Sequence, residues 1–165
     1  MPVRKGQSEV NRTHLKDALR NANVRAFLRA IRLGEGTSDE MGYYRIVGGG
    51  SFSDDSSHPN IKVYIKQYDV YSTAAGAYQI IRGTWNGLVR QYSFPDFSPE
   101  CQDEAAVALI AEKRALDDVI AGRLEEAVEK CAPIWASLPG STAGQRTESF
   151  DRVQQVYLSN GGVLA

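Results

Sequence analysis

The sequence predicts an α+β fold, a mostly helical single domain with a small β-sheet inserted after the first long helix. Three observations predict it. Val24, Phe27, Leu28 and Ile31 recur at i, i+3, i+4 and i+7, the apolar face of a helix. Over residues 42–72 the chain turns to glycine, tyrosine and β-branched residues, and Ile61, Val63 and Ile65 alternate with Lys62, Tyr64 and Lys66. That is the two-residue period of a strand. From Ala77 onward, apolar residues return at helical spacing, punctuated by glycine and proline. The length of 165 residues suits one domain with its own core.

Taken in order, residues 1–20 are polar and charged and read as an N-terminal arm, loose and ending in a short helix. Residues 21–165 then form the domain proper. The first long helix spans about 23–33, with Asn23 as N-cap and Gly34 as the residue that ends it. Tyr43, Tyr44, Ile46 and Val47 lead into Gly48-Gly49-Gly50, a polar turn over 51–60, and one or two short strands. Ile80, Ile81, Trp85, Leu88, Val89 and Tyr92 mark a helix over about 78–91. Ser98 and Pro99 supply an N-cap and an N1 proline for a helix through about Arg114. Leu116, Val119 and Ile120 make a short helix stopped by Gly122, and Leu124 to Cys131 another stopped by Pro133. Residues 138–145 are a loop, and Phe150, Val153, Tyr157 and Leu158 define a last helix ending at Gly161-Gly162.

Composition excludes several classes. With 19 Lys+Arg against 20 Asp+Glu, the net charge of −1 lacks the cationic surplus of a nucleic-acid binder. Cys101 and Cys131 form no CxxC and read as two buried free thiols. His14 and His58 lack ligand spacing, so no metal site is expected. The most apolar early stretch, Val24–Leu33, is broken by Arg25, Arg29 and Arg32. It suits neither a membrane span nor a signal peptide, so the expectation is a chain made in the cytoplasm and let out by something else.

Chemistry has few candidate seats. Glu35 sits just past a helix C-terminus between Gly34 and Gly36. The negative helix end and partial burial would both raise its pKa, as a general acid requires. A solvated glutamate in a Gly-X-Gly turn is the other reading of that window. Ser72-Thr73-Ala74-Ala75-Gly76-Ala77-Tyr78-Gln79 is a run of small residues opening a helix. There Tyr78 could stack on a sugar and Gln79 could bridge its polar groups, or the run is a plain strand-to-helix junction. Asp54 and Asp55 read as a solvated turn, since the spacing of a calcium loop is absent. Gly48-Gly49-Gly50 lacks the context of a nucleotide loop.

Together these segments resemble the lambda-lysozyme family of phage endolysins. The resemblance runs through Glu35-Gly36-Thr37, Gly42-Tyr43, Ile46-Val47-Gly48-Gly49, Ser72-Thr73, Ala75-Gly76 and Tyr78-Gln79. It continues through Phe97-Ser98-Pro99, Gln102-Asp103, Ala115-Leu116, Cys131, the run Ile134 to Gly140 and Gly144-Gln145. It covers about residues 24–160 and implies a lysozyme-like fold. It also implies cleavage of the β-1,4 bond between N-acetylmuramic acid and N-acetylglucosamine in peptidoglycan, by lytic transglycosylation to a 1,6-anhydromuramic end. The family's catalytic glutamate falls on Glu35. Its substrate contacts fall on Tyr43, Ser72, Thr73, Ala75, Gly76, Tyr78, Gln79 and Gln145, and its lip over the cleft on about Pro139–Gln145. Further implied are action as a monomer on glycan strands, no cofactor, no membrane insertion, and release from the host cytoplasm by a holin, leading to host lysis.

Two positions depart from the family pattern. Tyr44 stands where the lambda member carries an aspartate, and Ala143 where its lip carries a tyrosine. The loss of acid at Tyr44 fits a one-carboxyl scheme. A hydrolytic lysozyme using Asp54 or Asp55 as second carboxyl is the alternative. A non-catalytic wall-binding module is a further rival, against which the intact Glu35 argues.

Overall fold

The computed structural model describes residues 5–140 and 148–165. Among them it holds seven α-helices and one two-stranded antiparallel sheet. The expected insertion is in place: β1 (Val63–Ile65) and β2 (Val70–Ser72) lie between the second and third helices, paired Val63 to Ser72, Tyr64 to Tyr71 and Ile65 to Val70.

The expected loose arm is instead a helix, α1 (Lys5–Ala18). Leu15 is buried, and Arg12 pairs at 3.3 Å with Glu104, a carboxylate almost sealed from solvent. A polar sequence hides this role because the described part of the arm meets the core mainly through Leu15, Ala18 and Arg12, the last beside both Glu104 and the Phe94 ring. The helix carrying Glu35, α2 (Ala22–Glu35), begins one residue before the expected span and ends two after it. Asn21 caps it, accepting from the N–H groups of Asn23 and Val24. Asn23 instead ties two distant segments, donating to Ile120 O and accepting from Val163 N. Gly34 stays helical, and Gly36 takes the left-handed turn at φ 72°.

Glu40–Tyr44 is a 3-10 helix, so Tyr43 and Tyr44 are not in a strand. The helix expected from Tyr78 starts only at Arg82, as α3 (Arg82–Tyr92). Ala75 and Ile80 exchange both backbone hydrogen bonds, and Gly76 (φ 83°) and Gln79 (φ 49°) turn the chain between them. A tight turn therefore stands where apolar periodicity suggested a helix. The remaining helices follow the sequence closely: α4 (Pro99–Glu112), α5 (Leu116–Ala121), α6 (Leu124–Cys131) and α7 (Phe150–Ser159).

The core sits around α4, buried at Cys101, Gln102 and every position from Glu104 to Ile110. Helix α2 packs against α7, α5 and α4, while α1 leans on α4 and α3. Cys101 and Cys131 are both free and buried, and burial pushes the Cys131 thiol up to about 12. No helix among the described residues is long and apolar enough to cross a membrane.

Candidate active site

Glu35 is the last residue of α2, so its carboxyl stands at the negative end of the helix. Its backbone is locked on both sides. Arg32 donates to Thr37 O (2.9 Å) and Asp39 O (2.7 Å), with its guanidinium 4.5 Å from the Tyr43 ring centre. Arg45 donates to Gly36 O (2.9 Å) and grips both carboxylate oxygens of Asp39. Thr37 is fully buried, and its hydroxyl donates to Ala77 O, joining this corner to the turn at 75–80. Gly42 permits the approach: a Cβ there would lie 2.0 Å from Thr37 O.

The segment after α6 completes the corner. Trp135 Nε1 donates to Tyr78 O at 3.0 Å, and Ser137 Oγ donates to Glu35 Oε1 at 3.0 Å. A Cβ on Gly34 would fall 2.4 Å from Ser137 Oγ, so the glycine inside α2 makes room for the serine. Burial raises the Glu35 pKa from its usual 4.5 to about 7, against the smaller opposing pull of the Ser137 hydrogen bond. Glu35 therefore carries its proton over much of the range near neutrality. That supports the general-acid reading over a solvated turn residue.

Removing the serine hydroxyl gives a directional test. In Ser137→Ala the Glu35 carboxylate loses its donor, so its pKa rises further. The alkaline limb of the activity–pH profile should move to higher pH. A limb that stays put or moves down would separate Ser137 from the acid.

Residues 72–79 lie as one segment beside this corner, with local duties. Ser72 Oγ accepts from Ala74 N. Thr73 Oγ1 accepts from Arg82 N, an N-terminal donor of α3, whose own N-cap, Ile81, provides no side-chain bond. Ala75 and Gly76 are buried, and Gln79 Nε2 donates to Arg45 O and Gly76 O. Tyr78 is only 2% exposed, so its ring is not open for stacking on a sugar. Its hydroxyl donates to Asp103 Oδ1 at 2.6 Å, as does that of Tyr43 at 2.9 Å. Both tyrosines thus brace α4 from within.

Hydrogen bonds from Ser56, first from its side chain and then from its N–H, hold the Asp54 carboxyl below the usual range. Asp55 accepts from the Tyr44 hydroxyl at 2.8 Å. Asp54 is thus engaged within its own turn, and Asp55 by the 3-10 helix. Gln145, Ala143 and the rest of the expected lip beyond Gly140 lie outside the described residues. No group of metal-ligating side chains occurs among the described residues.

Sequence reasoning passed over the clamp at this corner. Gln102, 1% exposed, accepts from Ala77 N at 2.9 Å and donates to Tyr43 O (3.1 Å) and Phe97 O (2.9 Å). Gly76 makes room for it, since a Cβ there would lie 2.3 Å from Gln102 Oε1. A glutamine in a helix carries no local mark of burial, so only Ser137 and Gln102 seen in place reveal their roles.

Comparison with known proteins agrees with this architecture. A family model described as endolysin matches residues 25–164. The endolysin of Escherichia phage P2 is 40% identical over 158 residues, covering 87% of this chain and 95% of the relative. That of Escherichia phage lambda is 35% identical over 150 residues, covering 87% and 94%. The solved structure of bacteriophage lambda lysozyme complexed with a chitohexasaccharide superimposes with a TM-score of 0.83 at 34% identity, covering 88% of this chain and 97% of that one.

Proposed function

The chain belongs to the endolysin family, and on that premise we propose that it cuts peptidoglycan by lytic transglycosylation with Glu35 as the one catalytic carboxyl. The family and the lysozyme fold make it a phage peptidoglycan-cleaving glycosidase. The one-carboxyl route rests chiefly on Glu35, whose pKa burial raises from its usual 4.5 to about 7, with Ser137 as its hydrogen-bond partner.

The steps balance without water. Protonated Glu35 gives its proton to the bridging oxygen, and the bond from that oxygen to C1 of muramic acid breaks. Positive charge spreads over C1 and the ring oxygen. The C6 hydroxyl of the same sugar attacks C1, and its proton returns to Glu35. The products are a 1,6-anhydromuramic end and a free 4-hydroxyl on N-acetylglucosamine. The internal nucleophile has a high effective concentration, which replaces a positioned water. Asp54, occupied within its own turn, and Asp55, occupied by the Tyr44 hydroxyl, fit a scheme that needs no second carboxyl.

The related lambda structure, named as a complex with a chitohexasaccharide, supports a glycan strand as ligand here. Ser72, Thr73, Gln79 and Gln145 are the proposed polar contacts. Buried Ala75 and Gly76 shape the wall, and Tyr43 and Tyr78 act as positioning residues through Asp103. The protein acts as a monomer without cofactor, and reaches the wall from the host cytoplasm after holin-mediated release.

Mass spectrometry of muropeptides released from purified peptidoglycan tests the route. Anhydromuramic ends should dominate. Reducing muramic acid as the main product would establish hydrolysis with a second carboxyl.

A further inference from the structure

One side of α2 carries positive charge that the protein's own carboxylates leave unbalanced. Residues 1–33 hold eight Lys+Arg against two Asp+Glu, in a chain whose net charge is −1. Three of these cations, Arg25, Arg29 and Arg32, stand at i, i+4 and i+7, one side of the helix. They line a single pocket of about 200 Å³ together with Tyr43, Tyr78 and Asp103. Among the described residues, none of the three has a carboxylate within ion-pair distance. Like charges at this spacing repel, and a charge taken out of water needs a counter-charge. Arg32 is only 2% exposed. Its guanidinium meets the carbonyls of Thr37 and Asp39 and the Tyr43 ring, which are dipoles and a quadrupole. Arg25 directs Nη1 to the carbonyls of Leu19 and Arg20 and is otherwise exposed. Arg29 is exposed, and no hydrogen bond or ion pair holds its guanidinium among the described residues.

Asp103 is the one carboxylate in the lining. The hydroxyls of Tyr43 and Tyr78 already occupy its Oδ1, and burial works against its charge, raising its pKa. The lining therefore keeps an excess of two positive charges. Glu35 is not part of it, so the pocket lies apart from the reacting bond. Arginine presents a fork of N–H donors that matches the oxygens of a phosphate, and several guanidiniums converging in a partly enclosed pocket favour a dianion over a singly charged ion. A volume of about 200 Å³ is the liquid share of roughly seven waters, room for one phosphate group and a short ester arm. We propose that Arg25, Arg29 and Arg32 form a binding site for a dianionic phosphate monoester, with Arg29 as the free donor that closes on it. The same chemistry is offered by a soluble phosphate ester and by the headgroup of a lipid, and the exposed rim of Arg25 and Arg29 admits both. The site is independent of the route by which Glu35 acts.

The experiment uses the full chain and glycerol 3-phosphate as probe, at fixed ionic strength, with chloride and acetate as controls. Arginine Nε–H resonances in nitrogen-15 NMR follow binding residue by residue. Those of Arg25, Arg29 and Arg32 should shift together and saturate, while those of Arg123 and Arg152, on the far helices, stay put. Arg29→Gln should weaken the affinity about 10-fold or more, as expected when a charge-assisted contact is lost. Arg29→Lys should weaken it by only about 3-fold, because the charge stays and the fork is gone. Arg29 is exposed, so both variants keep the fold. Sedimentation with phosphatidylcholine vesicles, with and without phosphatidic acid, then separates the two sources. Retention on the phosphatidic acid vesicles that soluble ester releases and Arg29→Gln abolishes assigns the site to a lipid headgroup, and saturable NMR binding without retention assigns it to a soluble ester. Shifts that rise without saturating, that acetate or chloride reproduces at equal concentration, or that Arg29→Gln leaves unchanged overturn the proposal.

Discussion

Replacing Glu35 with glutamine should lower the cleavage rate by about 10²–10⁴-fold while making the protein more stable at neutral and alkaline pH. Glutamine keeps an oxygen that can accept from Ser137, but it can neither give nor take the proton. The stability gain follows from the raised pKa. Between about 4.5 and about 7 the unfolded glutamate ionises while the folded one stays protonated. The folded state then holds more protons, so the native protein loses stability as pH rises through that window. The full shift corresponds to about 3 kcal/mol, and partial solvent contact reduces it, so a gain of about 1–3 kcal/mol above pH 7 is expected. In a chain of this length that raises Tm by about 3–10 °C. Below about pH 4.5 the two proteins should melt together. Scanning calorimetry of both at low and high pH, beside turbidity assays on peptidoglycan, checks each half. A variant that retains more than about a tenth of the rate would move the acid elsewhere. One that gains no stability at high pH would show that Glu35 is not held against its charge.

Gln102→Leu should be the most damaging single change outside the acid. Leucine matches the volume but leaves Ala77 N–H and the carbonyls of Tyr43 and Phe97 without their partner. Each buried polar group left unpaired costs about 1–3 kcal/mol, so a loss of about 3–5 kcal/mol is expected, near the upper end for point substitutions. Activity should fall beyond the loss of folded protein. Gln102 fixes Ala77, whose carbonyl holds Thr37, two residues from Glu35. Urea denaturation with a parallel rate measurement on the folded fraction tests this. A destabilisation under about 1 kcal/mol would mean that the three groups find other partners and that Gln102 is no clamp.

The sequence by itself determined the order of elements from α4 to α7 and the place of the sheet, and it singled out Glu35 as the candidate acid. Those features are written in short-range terms. Apolar residues repeat with the helix or strand period, Ser98 and Pro99 open a helix, and Gly122 closes one at φ 81°. Glu35 beside a helix end, flanked by glycines, is likewise a local pattern, and the family resemblance reads the same residues.

Only the tertiary structure decided what depends on residues far apart in the chain. Local periodicity favoured a helix at Tyr78, yet the paired backbone of Ala75 and Ile80 made a turn. The arm expected at the start is α1, docked on the core where Arg12 pairs with the buried Glu104, 92 residues away. Tyr78, which as a sequence looked free to stack on sugar, is enclosed and bonded to Asp103. The raised pKa of Glu35 comes mainly from desolvation by neighbours packed around it. Ser137, its side-chain donor among the described residues, lies 102 residues away and reaches it because Gly34 has no Cβ. Desolvation and hydrogen bonding act through distance in space, and no window along the chain contains that distance.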